Sequence, residues 1–173
     1  LKGEAFKFYV KIKGKGIAAE DFNSNSIAYA MVKWNGEVAK TGWIKDDRLW
    51  FAVKNKREWI RGNMIKEVFK LAESAGFFLH AREELEMKFR RKRGREANRK
   101  AYSFSSRKLI TLHDVRAAKE FKAVIPVNPA YTSEEGKKLV KELGVNVHMS
   151  SAIIIAKRAL EEFHSWIRDE WVK

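Results

Sequence analysis

Residues 16–44 read GIAAEDFNSNSIAYAMVKWNGEVAKTGWI, and their pattern decides the fold class. The short apolar run Gly16-Ile17-Ala18-Ala19 reaches Glu20-Asp21 and then a turn-rich Asn23-Ser24-Asn25-Ser26. Two further strand-like runs, residues 27–34 and 37–44, flank Asn35-Gly36. Asn-Gly is the strongest short hairpin signal because both residues tolerate the positive φ of a tight turn. The stretch therefore predicts three consecutive strands, antiparallel where the hairpin joins them. Upstream, Phe6, Phe8, Val10 and Ile12 alternate with Lys7, Tyr9, Lys11 and Lys13, predicting another strand ended by Gly14-Lys15-Gly16. Residues 1–13 are compatible with a preceding module, and residues 14–173 make up the domain proper.

Downstream, residues 56–74 place Ile60, Met64, Val68 and Leu71, with Ile65, Phe69 and Ala72, at helical spacing, and Gly76 is a natural stop. A buried strand begins at Phe77-Phe78-Leu79 and turns polar at Arg82-Glu83-Glu84. A second long helix is expected over residues 101–122, then a short strand over 123–127. Pro126 and Asn128-Pro129 should stop that strand, because proline has no N–H for a central ladder. Ser133-Glu134-Glu135 suits a helix N-terminus, and Gly144 closes that helix. The last helix, from residue 148 or 150 to 171, aligns Ala152, Ile155, Ala156, Ala159, Leu160, Phe163 and Ile167 on one face that packs on the sheet. The order predicts an α/β domain with a mixed sheet, its first three strands a meander, and flanking helices.

A chain of 173 residues supports one well-buried core. Its 45% hydrophobic content and two prolines exclude a disordered or collagen-like chain. No apolar run approaches the roughly 20 residues that span a bilayer, and the first residues lack a signal peptide's apolar stretch. The expectation is a cytoplasmic, nucleoid-associated protein with no membrane contact. The start at Leu1 rather than Met suggests a piece of a larger polypeptide. Without cysteine there is no disulfide, Cys-ligated zinc, iron–sulfur cluster or thiol nucleophile.

Lys and Arg exceed Asp and Glu by 36 to 22, a net charge of +14 that calls for a polyanionic partner. Half of the surplus sits in residues 88–100, KFRRKRGREANRK, on Lys88, Arg90, Arg91, Lys92, Arg93, Arg95, Arg99 and Lys100. Such a run can be a solvated face or a lipid-surface patch. Phosphate binding with counterion release is the preferred reading, which makes DNA or RNA the partner.

The chemistry narrows by exclusion. There is no Gly-x-Ser-x-Gly elbow, the four histidines (His80, His113, His148, His164) are scattered, and no phosphate-cradling loop or zincin motif is present. What remains is hard-metal chemistry on phosphates, with carboxylates from separate elements holding Mg²⁺ or Mn²⁺. Asp21, Glu83 or Glu84, and the helix start near His148 qualify by location. Each has an alternative: Asp21 as a turn residue, the glutamates as ion-pair partners of their basic neighbours. Trp34, Trp43, Trp50 and Phe51 are expected in the core, with base stacking as the alternative.

Four segments resemble the RuvC-like nuclease domain, of RNase H fold, in the TnpB/OrfB proteins of insertion sequences, relatives of type V CRISPR effectors. Residues 16–44 resemble the first metal-binding strand and hairpin, and residues 82–110 the second acidic strand and basic helix. IPVNPAYTS (125–133) resembles the late strand, and GVNVHMSSAIIIAKRAL (144–160) the final helix. The run Asn128-Pro129-Ala130-Tyr131-Thr132-Ser133 is the most specific piece. The resemblance implies DNA phosphodiester hydrolysis with two divalent ions, one activating water and one stabilising the leaving oxygen. It makes Asp21 the first ligand and Glu83 the second, with Glu84 as the register-shifted alternative.

The family's third acid falls at His148. A histidine there can ligate a divalent metal, or it can be a helix-start residue hydrogen-bonded to a carbonyl. Some RuvC-type resolvases are similar in placing a His there followed three residues on by an Asp, where this chain has Ser151. The site would then favour Mn²⁺ over Mg²⁺. Residues 134–146 bridge the position of the family's zinc ribbon without cysteine, so no zinc ribbon is expected. A guide RNA is a further partner that the resemblance implies, although the family's guide- and target-recognition regions have no counterpart in these 173 residues. Two rival readings remain: a catalytically degenerate nucleic-acid-binding domain, and a basic scaffold for structured RNA.

Overall fold

The computed structural model describes residues 14–84, 96–128 and 132–171, with side chains for 14–84, 107–128 and 134–165. The alternating strand of residues 1–13 lies outside these, as do most of the basic segment, including Lys88 to Arg95, and Pro129 to Tyr131. Five strands form one sheet: β1 (Gly16–Phe22), β2 (Ser26–Lys33), β3 (Val38–Lys45), β4 (Leu79–Glu83) and β5 (Ala123–Val127), in the order β3-β2-β1-β4-β5. The helices are α1 (Lys54–Ala75), α2 (Glu96–Lys119), α3 (Thr132–Leu143) and α4 (Val147–Trp171), and a 3₁₀ turn spans Asp47–Trp50.

β1–β2 and β2–β3 are antiparallel, whereas β1–β4 and β4–β5 are parallel. Helices must therefore carry the chain back between the parallel strands, and α1 and α2 do so. The expected meander and mixed sheet are present. Gly36, at φ 86°, turns the β2–β3 hairpin, and Gly76, also at φ 86°, ends α1 in the left-handed region. The fourth strand begins at Leu79 rather than Phe77. Proline does not stop β5: Pro126 sits within it, paired in register with Arg82. β5 is the sheet's edge, so a missing N–H on its outer side breaks no ladder bond.

Both faces of the sheet are covered, and strand alternation decides what each helix meets. Ala18, Ile27, Tyr29 and Met31 face α1 and α2, packing with Ile60, Met64, Ile65, Val68, Phe69, Ala72 and Leu109. Ile17, Ala19, Val32, Leu79 and Ala81 face α4, against Ile155, Ala156, Ala159, Leu160 and Phe163. Ala30 continues that face against Ala152 and Ile153. Small side chains on both surfaces let α4 lie close to the central strands. Gly16 serves a similar purpose in the sheet, since a Cβ there would sit 2.0 Å from the Val32 carbonyl oxygen.

Of the aromatics assigned to the core, Trp34 is packed, stacked on Phe163 at 4.8 Å with its indole N–H donated to the Gly14 carbonyl at 3.0 Å. Trp43, Trp50 and Phe51 are exposed, because β3 is an edge strand and the 3₁₀ turn after it projects from the sheet.

Candidate metal centre at the strand ends

Asp21 follows Ile17 and Ala19 on the β1 face that meets α4, at the C-terminal end of the strand. Glu83 follows Leu79 and Ala81 on the same face of β4. The parallel register runs from Ile17↔Leu79 to Glu20↔Arg82, so Asp21 and Glu83 come next on adjacent strands. Alternation puts Glu83 on Asp21's face and leaves Glu84 past the strand end, where its N–H is donated to the Val127 carbonyl at 2.7 Å.

The third group arrives from α4. The Asn146 side-chain oxygen accepts the Met149 N–H at 2.8 Å, a side-chain cap that starts the helix at Val147 and places His148 in its first turn. His148 Nδ1 lies 3.4 Å from Asp21 Oδ2, and Asn23 Nδ2 donates to the same oxygen at 3.2 Å. The Asp21 carboxylate raises the His148 pKa above its ordinary value despite partial burial. His148 is thus turned toward a carboxylate and not toward a backbone carbonyl. Trp43 stacks over it, with centroids 6.4 Å apart, and Lys45 Nζ lies 5.9 Å from the Trp43 ring. Ser151, one turn on, is buried and donates its hydroxyl to the Val147 carbonyl at 3.0 Å.

Asp21 and His148 are thus brought together, and Glu83 shares their face of the sheet, but the ligand atoms of Asp21, Glu83 and His148 do not all lie within 4.8 Å of one another. The side chains of Arg99 and Lys100 lie outside the described residues, as does the rest of the run expected to bind phosphates apart from the backbone of its last residues in α2.

A second polar cluster occupies the opposite face of the same strands. Glu20 and His80 point toward α1 and α2, where His113 of α2 joins them, all three essentially inaccessible. His80 Nδ1 is 2.6 Å from Glu20 Oε1, and His113 Nε2 is 3.4 Å from Glu20 Oε2. Burial pushes the Glu20 pKa up, but the two imidazoles outweigh it and hold it below the usual carboxylate value. Arg82 clamps Asp114 with bonds of 2.9 and 2.6 Å, and Asp114 Oδ1 lies 3.1 Å from His113 Nδ1. Among the described residues this is the one group of three whose ligand atoms all lie within 4.8 Å of one another. Three of the four histidines scattered along the chain are therefore gathered in space, two here and His148 at Asp21, while His164 packs edge-on to Trp34. One signal in the sequence pointed to the cluster: alternation puts Glu20 on the core face of Ala18, where an unpartnered carboxylate is costly.

No protein-family model and no curated protein matches the chain. Solved structures do. Thermus thermophilus RuvC in complex with a Holliday junction substrate superposes with a TM-score of 0.60 at 13% identity, over 87% of this chain and 94% of that one. A second T. thermophilus RuvC structure gives 0.60 at 14% identity, over 86% and 96%. Fowlpox virus resolvase, in complex with its substrate Holliday junction DNA, gives 0.50 at 10% identity, over 85% and 97%. The fold is RNase H-like, of the RuvC type. Among the described residues no single helix is long and apolar enough to cross a membrane.

Proposed function

We propose that this chain is a divalent-metal-dependent endonuclease domain that hydrolyses DNA phosphodiester bonds, with Asp21, Glu83 and His148 as its metal ligands. One observation carries the reading. The ends of β1 and α4, 127 residues apart between Asp21 and His148, bring a carboxylate and an imidazole to 3.4 Å on an RNase H-like sheet, with Glu83 next to Asp21 on the same face. Two bound divalent ions, Mg²⁺ or Mn²⁺, would supply activation of water and stabilisation of the leaving oxygen.

The protein's own groups have distinct tasks. Asp21 sits centrally and is held by Asn23. Glu83 would join from the neighbouring strand and His148 from the helix start as the ion draws their donor atoms together. Trp43 offers an exposed ring beside His148 for stacking on a base. The basic run of residues 88–100 begins five residues after Glu83 in the sequence and would neutralise DNA phosphates. Two of the similar solved structures are complexes with Holliday junctions, which makes branched DNA the first substrate to try. The resemblance to TnpB/OrfB nucleases adds a guide RNA as a second partner and a place in a larger transposon-encoded protein.

Ser151 favours a second reading, a degenerate domain that binds nucleic acid without cutting. Its hydroxyl is turned back onto its own helix and offers the site no carboxylate. A cleavage assay on branched and linear DNA, with Mn²⁺ or Mg²⁺, separates the two. Metal-stimulated cutting that disappears in Asp21→Ala supports the nuclease. Salt-dependent binding with no cutting under either ion supports the degenerate domain.

A further inference from the structure

Glu20, His80 and His113 lie behind the candidate centre, sealed between the sheet and helices α1 and α2. Each is at most 1% exposed. Within the cluster Glu20 Oε2 and His113 Nε2 are buried and have no hydrogen-bond partner, as is His80 Nε2. Buried polar atoms without a hydrogen bond are costly even where, as here, two of them meet as an ion pair, so their placement needs a physical reason.

The geometry supplies one. The two unsatisfied atoms face each other at 3.4 Å, the spacing of two donors that share a cation at bond lengths of about 2.0–2.2 Å. His80 Nδ1 approaches the other carboxylate oxygen at 2.6 Å. The opposite nitrogen of His113 faces Asp114, which is fixed in turn by two bonds from Arg82. A carboxylate behind an imidazole sets its tautomer and points the remaining lone pair at a metal. Phe69 stacks on His80 at 4.1 Å and meets His113 edge-on at 5.1 Å, and Phe22 meets His113 edge-on at 5.3 Å. These rings form an apolar wall beside the polar atoms.

We infer that Glu20, His80 and His113 form a second metal site, structural in role, that takes a zinc-class transition cation. Glu20, His80 and His113 offer one ligand atom each within 4.8 Å of one another, and Glu20 would supply the fourth donor by binding through both oxygens as the ion replaces its hydrogen bond to His80 Nδ1. Two imidazoles and a carboxylate select Zn²⁺ over Mg²⁺ or Ca²⁺. The ion cross-ties β1, β4 and α2 directly beneath Asp21 and Glu83. The inference stands apart from the nuclease reading, since it uses none of the same ligands.

The test loads the full chain with Zn²⁺, or with Co²⁺ as its spectroscopic substitute, removes free metal and measures metal content and absorption. About one equivalent of Zn²⁺ per chain and a four-coordinate Co²⁺ spectrum are expected. Both persist in Asp21→Asn and are lost in His113→Gln. Asp114→Asn keeps every ligand and weakens Zn²⁺ binding about 10–100-fold, which provides a readout even where His113→Gln does not fold. Folded wild-type chain that retains no Zn²⁺ overturns the inference, as do retention in His113→Gln, loss in Asp21→Asn, and undiminished affinity in Asp114→Asn.

Discussion

The two faces of the central strands carry the same residue types to opposite ends. On the α4 face, Asp21 and His148 meet at the rim, and the His148 side chain remains 40% exposed. On the α1/α2 face, one residue earlier in β1, Glu20 meets His80 and His113 in the interior, where none exceeds 1% exposure. A one-residue step along a strand switches faces. The difference shows that position in the packing, not residue identity, decides whether a Glu/Asp–His pair is open to a substrate or closed into the core.

Substitutions on either side should separate the two. The largest effect is expected from Asp21→Ala: Mn²⁺-dependent cleavage falls by at least about 10³-fold, or about 4 kcal/mol of transition-state stabilisation. Its stability should change by no more than about 1 kcal/mol, read by denaturant unfolding. Glu20→Ala reverses the pattern. It strands two buried imidazoles beside Phe69 and should cost about 3 kcal/mol of stability, and unchanged unfolding would mean the cluster is not a structural tie.

Gly16→Ala tests the sheet that aligns both faces. A Cβ driven against the Val32 carbonyl should destabilise the fold by about 2 kcal/mol, visible as a lowered urea midpoint. Trp43→Ala should weaken DNA binding by about 1 kcal/mol at fixed salt, with thermal stability unaltered. The smallest effect belongs to Phe121, exposed and held at φ 54° after α2, where Lys122 N–H bonds back to the Ala117 carbonyl at 2.9 Å. Phe121→Gly removes the left-handed penalty and should raise stability by about 0.5–1 kcal/mol.

Much of this architecture was legible from local pattern. The β1–β3 meander followed from short apolar runs and Asn35-Gly36, and α1 from the spacing of Ile60, Met64 and Val68, all buried as expected. Those signals act within a few residues. The Glu20 cluster was not legible, because it needs the parallel β1–β4 pairing across 60 residues and a third group from α2. The alternation that places Glu20 inward was present in the sequence, but the identity of its partners was not. The exposure of Trp43, Trp50 and Phe51 was missed for a related reason: composition favours burying aromatics, whereas the edge position of β3 is a property of the whole sheet. Likewise, Pro126 reads as a strand stop until β5 is known to be an edge.

The central claim is that Asp21, Glu83 and His148 jointly hold a divalent ion. Crystals of the wild-type chain soaked in Mn²⁺ and measured for anomalous scattering test it most directly. The account predicts a peak within about 2.0–2.3 Å of Asp21 and Glu83 oxygens and a His148 nitrogen. No peak there at saturating Mn²⁺, with the three side chains turned apart, would contradict it.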